Sequence, residues 1–86
     1  MKTTDPEARR RSLLSSIFFA SASTATVREL HRDLEWVHNM AASVDQVRGD
    51  LSWLQEQGFV KFVADTAQIT ERGRDIARNA APWPGE

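Results

Sequence analysis

The 86-residue chain contains no cysteine. That excludes a disulfide framework, a thiolate zinc site and a cysteine nucleophile, and it suits a cytoplasmic protein. Glycine (4) and proline (3) are sparse, and neither a P-loop nor a GxGxxG run occurs. No stretch approaches the roughly 20 apolar residues of a membrane span. An excess of one charge is also missing: the formal net charge is −1, whereas a free-standing DNA binder usually carries a basic footprint. Serines are frequent, but none sits in a nucleophile-elbow pattern, and neither histidine has an acid placed to orient it towards a serine. A helical domain of this size has little room for a substrate pocket. The expectation is a protein that is not an enzyme and needs no cofactor.

What the chain does have is unevenly placed. Residues 1–11 carry Lys2, Arg9, Arg10 and Arg11 against Asp5 and Glu7, while residues 12–69 carry four basic and seven acidic side chains. Any basic surface must come from the ends. Arg9-Arg10-Arg11 is either a flexible arm for phosphates or a solvated helix start. The segment ARRRSLLSSIFFASASTA imitates a secretory leader. Asp5 and Glu7 inside its basic part, and Ser15-Ser16 inside its apolar part, favour a core helix instead.

The pattern predicts one domain over 6–80, with flexible ends at 1–5 and 81–86. Asp5-Pro6-Glu7 starts a helix with an Asp cap and proline at the first position, running to Ala20 or Ala22. Leu13, Ile17 and Ala20 form its stripe, widened by Leu14, Phe18 and Phe19. A helix this apolar is central in the domain or shared with another copy, and helix 6–21 is the natural seam of a homodimer. Ser23 or Thr24 is a start for a short strand. Val27, Leu30, Leu34 and Val37 mark a second helix from Thr26 to about Asn39. Val44, Val47, Leu51 and Leu54 mark a third, capped by Ser43 with Gln46 three residues on. Gly58 stops it. Residues 59–63 and 67–69 form a hairpin turning at Asp65-Thr66, and Thr70 caps a last helix, Glu71 to about Asn79.

Leu51 to Val60, L-x-W-L-x-E-x-G-F-V, resembles a recognition helix passing into a wing, and Ile69 to Ala77, ITERGRDIA, resembles the wing-to-helix step of bacterial winged helix-turn-helix regulators. Size and the small hairpin also resemble winged-helix proteins of Mu-like prophages. The resemblance implies a mainly α fold with a β-hairpin, order α-α-α-β-hairpin-α, with Gly73 allowing close packing on the hairpin. It also implies a small transcriptional regulator that reads double-stranded DNA with helix 41–57. Carried over by position, Ala42, Ser43, Gln46, Arg48 and Gly49 face the bases, while Arg28, Arg32 and Lys61 hold phosphates. Arg9, Arg10 and Arg11 would add an arm.

The same helix carries unlike chemistry. At 100° per residue, the side opposite its aliphatic stripe centres on Gly49, Asp45, Gln46, Trp53 and Glu56, with Asp50 on the flank and Arg48 turned towards the stripe. Carboxylates repel phosphates. Trp36 and Trp53 also lie away from their stripes, so they pack against the arm, the tail with Trp83 or other helices, since both helices can be buried on two sides, or they form a patch for a protein partner or a second subunit. The alternative function is therefore a protein-interaction module, such as a prophage accessory or packaging protein, docking a partner through Trp36, Trp53, Asp50 and Glu56. Arg72, Arg74 and Arg78 are expected to pair with Glu71 and Asp75. His31, Glu35 and His38 resemble part of a metal site, but the outer two are about 10 Å apart along the axis. No metal is expected.

Overall fold

Asp5 accepts a hydrogen bond from the Glu7 N–H, and Pro6 occupies the position where an N–H would have no partner. In the computed structural model, which describes residues 5–85, these residues open helix α1, Pro6–Phe19. It stops one residue short of the expected range, and Ala22 and Ser23 take φ of 57° and 54° in a 3-10 turn at Ser21–Ser23. There follow β1 (Thr24–Thr26), α2 (Val27–Trp36), α3 (Val44–Glu56), β2 (Val60–Val63), β3 (Thr66–Ile69) and α4 (Glu71–Ala77). This is the expected mainly helical fold with a small hairpin and the expected element order. The strand start anticipated at Ser23 or Thr24 is β1, which makes the sheet three-stranded and antiparallel in the order β1-β3-β2. No helix among the described residues is long and apolar enough to cross a membrane.

Helix α1 is the central element. It packs against α2, α3, α4 and the sheet, and buries Leu13, Leu14 and Ile17 among Leu30, Leu34, Val47, Leu51, Leu54 and Phe59. Fully burying each such side chain stabilises the fold by about 1.5–3 kcal/mol. Most of the apolar surface expected at a dimer seam is therefore inside the domain, leaving Phe19 exposed and Phe18 partly so.

The helix ends follow local chemistry. Helix α2 begins with a full capping box, in which Thr26 Oγ1 accepts from the Glu29 N–H and Glu29 accepts from the Thr26 N–H. It stops at Trp36, three residues before Asn39. The N–H groups of Val37 and His38 both return to the Asp33 carbonyl, and Asn39 turns the chain with φ 53°. Helix α3 has the same device, built from Ser43 and Gln46. It ends in a Schellman motif: Gly58, φ 81°, donates to the Gln55 carbonyl and Phe59 donates to that of Leu54.

The hairpin turn lies at Ala64-Asp65, one residue earlier than expected. Both residues have positive φ, 52° and 58°, the signature of a two-residue type I′ turn. At the other end of the hairpin, a Cβ on Gly73 would sit 2.1 Å from the Phe59 carbonyl oxygen, so only glycine lets α4 approach this closely. Helix α4 ends at Ala77, two residues before the expected Asn79, which instead forms a left-handed cap with φ 61°.

Within the tail expected to be flexible, of which Glu86 lies outside the described residues, Trp83 is 6% exposed and its ring lies 5.7 Å from Trp53 and 5.9 Å from Phe59. An indole removes too much apolar area from water to stay out when a neighbouring aromatic surface is open. The assignment of 1–5 as flexible falls, apart from Asp5, outside the described residues.

Candidate nucleic-acid interface

Three chain segments converge on one side of the molecule. The start of α2, the start of α3 and the hairpin turn line a groove of about 380 Å³, whose walls include Thr26, Arg28, Val44, Arg48 and Asp65. The turn is tied to α2 by a hydrogen bond from the Val27 N–H to the Asp65 carbonyl, 2.9 Å. The hairpin tip is thus held against the helix pair. Both helix N-termini carry the positive end of their dipoles to this region.

The expected reading residues separate into distinct groups. Ser43 and Gln46 are exposed but bonded to each other's backbone in the α3 capping box. Gly49 is exposed, and nothing lies within 4 Å of where its Cβ would be. Arg48 reaches sideways to the hairpin: its Nε donates to Asp65 Oδ1 at 3.2 Å and its Nη2 to Asp65 Oδ2 at 2.9 Å. Asp45 accepts a weaker third bond from Nη1 at 3.4 Å. The Asp65 bond holds the Arg48 guanidinium above its usual range, and the same bond holds the Asp65 carboxyl below the usual carboxylate range. Arg28 and Arg32 are exposed on α2, and Lys61 is exposed on β2. Ala42 is half-buried, its carbonyl bonded to His31 Nε2 at 2.8 Å.

Arg9, Arg10 and Arg11 do not form a free arm. Arg9 is 7% exposed, its Nε bonded to Asp50 Oδ2 and its Nη2 to Asp50 Oδ1 at 3.1 Å. That bond raises the Arg9 affinity for its proton by more than burial lowers it. Arg10 Nε also reaches Asp50 Oδ1, at 3.2 Å, while its guanidinium lies 4.5 Å from the Trp53 ring centre. Arg11 lies 4.9 Å from that of Trp83. Arg9 and Arg10 clamp α1 to the back of α3, because a buried carboxylate requires matched cations, while Arg11 lies against the tail.

Asp50, expected on the rim of a protein-docking face, is thus 2% exposed and turned inward. One signal in the sequence pointed there: Asp50 is three residues after Val47 and four before Leu54, on the edge of the buried stripe. Trp53 is half-buried between Arg10 and Trp83. Of the proposed partner patch, Trp36 (80% exposed) and Glu56 remain outside.

Arg78 pairs with Asp75 at 2.7 Å, whereas Arg72 lies over the Phe59 ring at 5.6 Å. His31 bonds to Ala42, and His38 Nε2 lies 2.9 Å from Ser16 Oγ, so the two histidines serve different contacts.

Comparison of the chain with protein-family models, with curated proteins and with solved structures finds no match.

Proposed function

We propose that the chain is a small winged-helix DNA-binding protein, a cytoplasmic transcriptional regulator that presents α3 to the major groove of a duplex. The observation carrying this reading is the groove where the N-terminal ends of α2 and α3 meet the hairpin turn, with Arg28 and Arg48 in its walls. Exposed arginines beside two helix N-termini are what phosphate oxygens bind.

The burial of Asp50 supports the same conclusion. It removes one carboxylate from the outer side of α3, leaving Gln46, Gly49 and Ser52 exposed there beside Asp45 and Glu56. Gly49 lets a groove wall approach the helix backbone, and Gln46 has the amide geometry that pairs with adenine once it leaves its cap. Arg32 and Lys61 extend the phosphate contacts on either side. Phe19 is what α1 offers to a second copy, should two copies occupy adjacent half-sites.

The test is titration of a short duplex pool into labelled protein at low and raised salt, with amide shifts followed by NMR. Binding that weakens with salt and moves α3 amides supports the reading. Unperturbed α3 and α2 amides at low salt overturn it.

A further inference from the structure

We propose that Asp65 is an internal stand-in for a DNA phosphate, holding Arg48 in the free protein and releasing it only when a backbone phosphate enters the groove. This rests on the DNA-binding reading and adds a device that regulates the same site.

The geometry is specific. The Asp65 carboxylate meets Arg48 with two bonds, Nε–Oδ1 at 3.2 Å and Nη2–Oδ2 at 2.9 Å, the fork arrangement by which guanidinium also grips phosphate. Asp65 cannot simply follow Arg48 outward. Its carbonyl is bonded to the Val27 N–H, and its φ of 58° belongs to the two-residue turn. Arg48, by contrast, sits on a long flexible side chain that is about half exposed (45%), so it can swing while the carboxylate stays. Asp45, its other acidic neighbour, is 95% exposed and holds it with a single long bond.

The consequence is a penalty on indiscriminate binding. A phosphate must displace Asp65 to capture Arg48, and it must also tolerate the carboxylate left in the groove wall. Only a duplex that makes further contacts along α3 offsets that exchange. The paired Asp45 and Asp65 also explain how a reading helix can carry its one arginine without a basic surface.

The experiment compares wild type, Asp65→Asn, Arg48→Ala and the double variant in salt-dependent titrations with a random-sequence duplex. Asparagine tolerates the left-handed turn position, so the hairpin survives. Asp65→Asn is expected to bind at least about threefold tighter at low salt, with a log–log salt slope steeper by about 0.9, one phosphate contact. In the Arg48→Ala background the same change should leave the salt slope unaltered. Wild-type binding with Asp65→Asn equal or weaker overturns the stand-in role and leaves the DNA reading intact. Absence of duplex binding in wild type and Asp65→Asn alike overturns both.

Discussion

The Arg10 guanidinium lies 4.5 Å from the centre of the Trp53 ring while its Nε donates to Asp50. One side chain thus joins a cation–π contact to a buried ion pair, and fixes the first helix against the third. Cation–π contacts of this kind contribute about 0.5–2 kcal/mol.

Removing the acid at the centre of that cluster should be costly. Asp50→Ala leaves Arg9 buried without its partner, and urea denaturation should register a loss of about 3–5 kcal/mol. The paired change Arg9→Met with Asp50→Leu should recover most of it, since apolar residues of similar volume often replace a buried pair without loss. Equal losses in the single and paired variants would contradict a clamp built on charge.

Trp83 gives a second measurement. Trp83→Ala opens a space beside Trp53 and Phe59, and should destabilise the domain by about 3–5 kcal/mol. The remaining indole emission should shift to longer wavelength as Trp53 gains water. An unchanged melting midpoint would mean the tail does not hold its place.

The two helical glycines predict opposite outcomes. Gly73→Ala sets a Cβ against the Phe59 carbonyl and should cost more than about 2 kcal/mol in thermal melts. Gly49→Ala meets open space in the interior of α3, and should stabilise by about 0.5–1 kcal/mol. If α3 enters a groove closely at this point, the more stable Gly49→Ala protein should bind duplex more weakly.

The Arg48–Asp65 pair has a pH signature. Because Arg48 holds the Asp65 carboxyl below the usual range, the pair's contribution is complete above the ordinary aspartate pKa and is lost as pH falls through the lowered value. Carboxyl NMR should place Asp65 below its free-peptide midpoint in wild type and return it towards the ordinary aspartate midpoint in Arg48→Ala. An ordinary midpoint in wild type would show that the pair does not form in solution.

Much of this was readable from residue types. The caps at Asp5, Thr70 and Ser43, the stop at Gly58 and the close approach at Gly73 all follow from local chemistry acting within a few residues. The C-terminal end of α2 and the turn at Ala64-Asp65 slipped because backbone bonds at Asp33 and Leu34, and a non-glycine left-handed pair, carry little sequence signal. The site was harder to read. A helical projection assigns α3 one buried side, but α1 packs along a second, where Asp50 is turned inward and Trp53 is half-buried. Partners drawn from positions 9, 65 and 83 lie beyond the reach of periodicity.

The clamp also bears on how the molecule comes together. Arg9 and Asp50 are 41 positions apart, and Thr24 pairs with Gln68 across the sheet. Ordering such distant segments requires closing long stretches of chain before any contact rewards it, which slows folding and favours a single concerted transition. Helix α3 then acquires its native surroundings only when Arg9, Arg10 and Trp83 have reached it. The outward side of α3 depends on the same packing, so partial unfolding at the first helix would disturb the candidate interface without any change within it.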